Sequence, residues 1–140
     1  MPAVKVRMIK DFRLEGLDEE GHSVLMDLPK DSGGEGAGFT PMQLLLVALA
    51  GCTALDVISI MRKQRQNLSS LEVFAEGDRA EEHPRYYEEI RLRYVLKGRA
   101  LSEDAVKRAI KLSEEKYCSV GANLKGVSKI TTTYTIEQEK

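Results

Sequence analysis

The stretch Thr40-Pro41-Met42-Gln43-Leu44-Leu45-Leu46-Val47-Ala48-Leu49-Ala50-Gly51-Cys52-Thr53-Ala54-Leu55-Asp56 decides the fold of this chain. It opens with a hydroxyl residue followed by proline, which is typical of a helix start. The hydroxyl can accept from a free amide, and proline fits the first helical position. We expect a helix from about residue 41 to about residue 66, apolar on nearly all sides as far as Ile60. Such a helix needs cover from other elements, so the stretch predicts a long buried central helix.

The segments around this helix alternate between apolar and polar residues, as β-strands do. We predict strands at about residues 3–9, 22–28, 71–76, 86–97 and 130–136. Gly16 and residues 18–21 are interpreted as turn signals, and the strand after Tyr86 should bury Ile90 and Tyr94 on one face. Ser102 should cap a second helix that ends near Cys118. The order β-β-α-β-β-α-β predicts an α+β fold, with residues 1–140 as a single domain.

Charge and composition exclude several classes of partner. The chain has 21 Lys and Arg against 22 Asp and Glu, so its formal net charge of -1 gives no electrostatic footprint for nucleic acid. Residues 42–61 are long enough to cross a bilayer, but Asp56 within them would be costly in lipid, and we expect no membrane span. The charged, alternating residues 1–7 lack the apolar core of a secretory signal. We therefore expect a cytoplasmic location.

Cys52 and Cys118 are the only two cysteines, and they lie in or at the end of the two predicted helices. They are either a redox pair or two small buried residues. Stable structural disulfides are rare in a reducing compartment, so an oxidised pair there would be transient and catalytic. His22 and His83 have no metal-ligand spacing to either cysteine, and we expect no metal site.

Chemistry at a thiol requires the thiolate, and at a reference pKa near 8.5 only about 3% of a cysteine is ionised at pH 7. Cys52 lies too far inside its helix to gain from the helix dipole. Asp56, four residues on, would oppose ionisation of Cys52. We therefore look for an arginine. The candidates are Arg7, Arg13, Arg79, Arg85, Arg91 and Arg93.

Pro41-Met42-Gln43-Leu44, followed by Gly51-Cys52 and later by Cys118, resembles the OsmC/Ohr superfamily of thiol-dependent peroxidases. The run from Gly36-Ala37-Gly38-Phe39-Thr40-Pro41-Met42 to Cys52-Thr53-Ala54-Leu55-Asp56-Val57 is closest to its OsmC-like, YhfA-type branch. The resemblance implies an intertwined homodimer with the helices of residues 41–66 at its centre. It implies neither a metal nor another cofactor.

The resemblance also implies roles for individual residues. Cys52 would be the peroxidatic cysteine and Cys118 the resolving cysteine. Arg13 corresponds most nearly to the arginine that activates the thiolate. The peroxidases orient that arginine with a glutamate just after the helix-opening proline, where this chain has Met42, so the neighbouring Gln43 is a candidate orienter.

The function implied is reduction of organic hydroperoxides in oxidative or osmotic stress defence, with a dithiol or a lipoylated protein as the reductant. The missing carboxylate at Met42 leaves an alternative open. In that alternative the chain is a non-catalytic dimeric protein that binds a hydrophobic ligand or a partner in an apolar cleft at the dimer interface.

Overall fold

The structure, a computed structural model, describes residues 3–140 and divides them after Leu45 into two units. The first helix, α1 (Pro41–Lys63), begins in the first unit and continues through part of the second. A capping box starts this helix: the Thr40 hydroxyl accepts from the Gln43 amide N–H at 3.1 Å, and the Gln43 side-chain oxygen accepts from the Thr40 N–H at 2.9 Å. The predicted helix start is confirmed.

The first unit contains a three-stranded antiparallel sheet. Its strands, in spatial order, are β1 (Val4–Lys10), β2 (Arg13–Asp18) and β3 (Ser23–Met26). The sequence predicted the outer two strands and missed β2, because Gly16 was interpreted as a turn. Gly16 lies in the middle of β2, opposite Val6 on one neighbour and Val24 on the other. A side chain there would crowd Val24, so the glycine allows close packing and does not end the strand.

The second unit contains a mixed sheet and the remaining helices. The strands are β4 (Asn67–Arg79), β5 (Tyr87–Arg99) and β6 (Lys129–Gln138), with β5 in the centre. β4 pairs with β5 in antiparallel orientation, whereas β5 and β6 are parallel. Parallel neighbours require a crossover. Here it carries α2 (Glu103–Leu112), a π-helical turn (Ser113–Tyr117) and α3 (Ser119–Leu124).

Alternation along β5 decides which side chains face the helices. Ile90 and Tyr94 are fully buried, as predicted, and Leu92 and Leu96 lie on the same face. Successive residues of a strand point to opposite faces, so the arginines between them lie on the other side of the sheet. Tyr94 is thereby placed inside the second unit. The α+β class is confirmed, with β2 and α3 added to the predicted order.

The predicted central helix α1 is partly buried in the single chain. One face of the helix is buried, through Leu49, Thr53, Val57, Ile60 and Met61. On another face Val47 is 48% exposed and Leu55 is 71% exposed. The elements of one chain pack against one side of a helix that is apolar on nearly all sides. By length and composition α1 could also cross a membrane, a test that core helices of soluble proteins pass as well.

Candidate active site

Cys52, Asp56 and Cys118 come together in the second unit. Their two sulfur atoms and a carboxylate oxygen all lie within 4.8 Å of one another. Cys52 and Asp56 are one helical turn apart on α1, and Cys118 follows the π-helical turn. Both thiols are free. The structure thus brings the two cysteines together across 66 positions of sequence (118 minus 52) and adds a carboxylate to the pair.

The π-helical turn and α3 hold Cys118 in place. The Cys118 N–H donates to the carbonyl of Ser113, five residues back, at 2.8 Å. The Cys118 sulfur in turn accepts from the N–H of Gly121 at 3.3 Å. A Cβ at Gly121 would stand 3.3 Å from that sulfur, so glycine permits the close approach. Insertions of this kind in helices are frequent at functional sites.

The two sulfurs have different surroundings. Cys118 is 6% exposed, whereas Cys52 is partly open to solvent. Burial raises the pKa of the Cys118 thiol to about 11; the N–H of Gly121 opposes this shift, and the neighbouring Cys52 and Asp56 add to it. Cys118 is therefore held as a protonated thiol at neutral pH. Of the two sulfurs, Cys52 is the one that an incoming molecule reaches first.

A chain of buried hydroxyl groups leads to the Asp56 carboxylate. The Ser113 hydroxyl donates to Oδ2 of Asp56 at 2.9 Å and contacts the Thr53 hydroxyl at 2.8 Å. The Thr53 hydroxyl lies 2.6 Å from that of Tyr94. Each hydroxyl has one proton, and Ser113 gives its proton to Asp56. Thr53 must therefore donate to Ser113, and Tyr94 to Thr53, so all three hydrogen bonds point toward the carboxylate.

This polar chain is deeply buried: Tyr94 and Ser113 are fully inaccessible, and Thr53 is 2% exposed. Burial raises the pKa of Tyr94 to about 12 against the opposing hydrogen bond with Thr53, and the nearby acids, Asp56 among them, contribute. Tyr94 therefore remains a donor at physiological pH. Sequence reasoning missed these three residues as part of the site. The available signal was a pair of polar residues, Thr53 and Asp56, within the apolar stretch of α1.

The arginine candidates of the second unit have partners elsewhere. Arg91 forms ion pairs with Glu76 and Asp78, and Arg93 stacks over the ring of Phe74 at 4.1 Å. Both lie on the face of β5 opposite Tyr94. Arg79 and Arg85 donate to backbone carbonyls at the β4–β5 connection, those of Arg85 and Ala80 respectively.

Arg13 lies in the first unit, at the start of β2, and its guanidinium pairs with Glu35 at 2.6 Å. Glu35 lies in a glycine-rich loop, residues 32–38, which contains four glycines. This loop thus supplies a carboxylate to Arg13, although Met42 occupies the position where the family pattern has one. Asp27 fixes the same loop, because its carboxylate accepts from the N–H groups of Glu35 and Ala37. No local sequence pattern predicts the Arg13–Glu35 pair, since the two residues are 22 positions apart.

Gln43 also lies in the first unit, and its side-chain oxygen caps α1 through the Thr40 N–H. Gln43 therefore helps to cap α1, a role that the sequence pattern predicted for Thr40 alone. The orienting role of Gln43 stays a prediction, as do the roles of Arg13, Cys52 and Cys118. Arg7, the remaining arginine candidate, pairs with Glu15 on β2.

The fold and the site together define a class of small α+β thiol proteins. Its features here are a capped apolar helix with a cysteine in the middle of the helix, and a second cysteine after the crossover helix. The family model for OsmC-like proteins matches residues 33–133, and the chain belongs to this family. Protein YhfA of Escherichia coli strain K12 is 39% identical over 132 residues, which cover 94% of this chain and 96% of YhfA. The chain therefore falls in the YhfA-type branch.

Solved structures of other proteins share the fold of this chain. A hypothetical protein from Aquifex aeolicus VF5 has a TM-score of 0.88 and 31% identity, covering 100% of this chain and 98% of that one. The organic hydroperoxide resistance protein OhrB of Bacillus subtilis has a TM-score of 0.67 at 14% identity, covering 96% of this chain and 98% of that one. At that identity the likeness to OhrB shows the shared fold alone.

Proposed function

We propose that this protein is a thiol-dependent peroxidase that reduces organic hydroperoxides in stress defence. The observation that carries the proposal is the convergence of a partly exposed thiol, Cys52, and a buried thiol, Cys118, with their sulfurs within 4.8 Å. Membership of the OsmC family supports it, and among proteins of this fold OhrB of Bacillus subtilis is named for hydroperoxide resistance.

The difference in exposure between the two thiols supports the following order of steps. The Cys52 thiolate attacks the O–O bond of the hydroperoxide; the product is a sulfenic acid on Cys52, and the alcohol leaves with one proton from solvent. The Cys118 sulfur then attacks the Cys52 sulfur, a disulfide forms, and the hydroxyl leaves as water with the thiol proton. Bridging needs the sulfurs about 2.05 Å apart, so less than about 3 Å remains to be closed.

The turnover would be completed by an external dithiol, such as a lipoylated protein, that reduces the disulfide by thiol exchange. We assign the activation of the Cys52 thiolate to Arg13, with Glu35 as its ion-pair partner in addition to the Gln43 suggested by sequence. The exposed Leu55 and Val47 on α1 support the intertwined homodimer as the functional form, because exposed apolar surface of this kind is typical of an interface. A cytoplasmic location is part of the same proposal.

The test is a thiol titration of the reduced protein after one equivalent of cumene hydroperoxide. We expect both thiols to be lost and an intrachain Cys52–Cys118 disulfide to appear. Cys52→Ser should reduce peroxide consumption to the rate of free thiols, since the accessible nucleophile is gone. Cys118→Ser should still consume one equivalent and accumulate a sulfenic acid that dimedone traps on Cys52.

Ser119→Ala is the matched control, because Ser119 is the exposed neighbour of Cys118. Its turnover should equal that of the unmodified protein. Retention of both thiols after peroxide treatment would rule out the peroxidase. A bound hydrophobic ligand found by native mass spectrometry, together with that retention, would favour the non-catalytic binding protein instead.

A further inference from the structure

The cluster of Cys52, Asp56 and Cys118 has a second chemical capacity, which peroxide reduction does not use. Two thiolates and a carboxylate are ligands for borderline and soft divalent cations, and three protein ligands with an open fourth position are common at zinc sites. All three ligating atoms lie within 4.8 Å of one another. The spacing of the two histidines from the cysteines predicted no metal site, whereas the third ligand here is an aspartate one turn from Cys52.

We propose that the reduced protein binds one thiophilic divalent cation of the Zn²⁺ class through Cys52, Cys118 and Asp56, with water in the fourth position. Both sulfurs bind as thiolates, so binding releases their protons to solvent. This inference goes beyond the peroxidase proposal and does not depend on it. Where both hold, the cation occupies the same sulfur that attacks the peroxide, so binding and turnover exclude each other.

The geometry is close to what a tetrahedral ion requires. Zn–S distances of about 2.3 Å place two sulfur ligands about 3.8 Å apart. The two sulfurs are at most 4.8 Å apart, so this separation need contract by no more than about 1 Å. Cys52 is partly exposed in the single chain, whereas Cys118 is buried. An ion from solvent would therefore meet the Cys52 sulfur before the Cys118 sulfur.

The contacts behind the ligands also fit a metal site. Ligating carboxylates and sulfurs in proteins are themselves held by hydrogen bonds, and those outer contacts set the affinity. Here Ser113 donates to Oδ2 of Asp56 at 2.9 Å, and the N–H of Gly121 donates to the Cys118 sulfur at 3.3 Å. The buried hydroxyls of Thr53 and Tyr94 support Ser113 in turn. Two of the three ligands are thus oriented before any ion arrives.

The test is a titration of the reduced, metal-free protein with Cd²⁺, followed by thiolate-to-cadmium charge-transfer absorption. This signal reports sulfur ligation and is independent of any peroxide. We expect saturation at one Cd²⁺ per chain and displacement of Cd²⁺ by Zn²⁺. Cys52→Ser and Cys118→Ser should each lose about half of the absorption and more than about 100-fold in affinity.

Variants of the Asp56 carboxylate and of its hydrogen-bond donor Ser113 distinguish a three-ligand site from a site made of two thiols alone. Asp56→Asn should keep the full absorption and lose about 100-fold in affinity, and Ser113→Ala should lose about tenfold. Asp104→Asn and Ser119→Ala, with the same changes at exposed positions, should bind as the unmodified protein does. Circular dichroism checks that each variant is folded.

Absence of charge-transfer absorption at one equivalent of Cd²⁺ would overturn the proposal, and so would wild-type affinity in Asp56→Asn. Peroxide turnover without Cd²⁺ binding would remove only this inference. Binding without turnover would remove only the peroxidase.

Discussion

Two carboxylates, Asp27 in the first unit and Asp56 in the second, are held in different ways. Asp27 is 4% exposed and accepts from three backbone N–H groups, those of Leu28, Glu35 and Ala37. Asp56 accepts from the side chain of Ser113 at the end of a line of hydroxyls. Backbone donors cannot turn away, whereas hydroxyl groups rotate and can exchange donor and acceptor roles.

The difference separates a carboxylate that supports a loop from one that lies beside the two thiols. Burial alone would raise the pKa of Asp27, but the three N–H groups and the charge of Arg13 outweigh it and lower that pKa. Asp27 therefore stays ionised and fixes the loop that presents Glu35 to Arg13. Asp56 has two sulfurs beside it, and its rotatable partners allow it to adjust when a sulfur changes its proton, its oxidation state or its ligand.

The largest effect should come from Gly34→Ala, which breaks the Asp27 loop. A Cβ at this position would overlap the backbone carbonyl of Leu28 and lie 2.6 Å from Oδ1 of Asp27. The backbone cannot yield as a flexible side chain would, so we expect a loss of about 3 kcal/mol in the free energy of unfolding, measured by urea denaturation.

Gly126→Ala is the control for Gly34→Ala, because no heavy atom outside Gly126 and its two chain neighbours lies within 4 Å of a Cβ there. It should change stability by less than about 1 kcal/mol. An equal loss in both variants would show that the loop around Asp27 is not tightly packed.

Local signals in the sequence predicted much of the fold. The start of α1 and the buried face of β5 follow from a capping residue and from period-two alternation, which neighbouring residues determine. The strand β2 was missed because Gly16 is common in turns, and its role here depends on Val24 across the sheet. The π-helical turn from Ser113 was missed because its glutamates and lysine also suit an ordinary helix.

The candidate site was predictable only in part. Cys52 and Cys118 were identified, but the pairing of Ser113 with Asp56, 57 positions apart, depends on how α1 packs against the crossover. The same holds for Glu35, which reaches Arg13 only because the glycine-rich loop folds back toward β2. A hydrogen bond between residues far apart in sequence cannot be predicted from the local periodicity of apolar residues.

A smaller effect should follow Ser113→Ala, which breaks the hydroxyl chain at its centre. The substitution leaves the Asp56 carboxylate without this donor and the Thr53 hydroxyl without this acceptor, both inside the second unit. We expect a loss of about 2 kcal/mol in the free energy of unfolding. Ser119→Ala, the same change at an exposed site, should stay within about 0.5 kcal/mol. A loss in Ser113→Ala no larger than in this control would mean that Asp56 is held by other contacts.

The smallest effect is a change in the pH dependence of stability in Asp27→Asn. The pKa of Asp27 is lowered in the folded state, so its carboxylate contributes stability above the unfolded pKa of about 3.9. That contribution is lost as the pH falls through the folded pKa. The amide cannot titrate, so the stability gap between the two proteins should be widest near pH 6 and should narrow below pH 4.

Asp31→Asn, which removes an exposed carboxylate from the turn that follows Asp27, is the charge control. Stability is measured by urea denaturation from pH 6 to pH 2. If the curves of the unmodified protein and Asp27→Asn run parallel over this range, the backbone donors hold the protonated acid equally well. Asp27 would then not be held as an anion by its backbone donors.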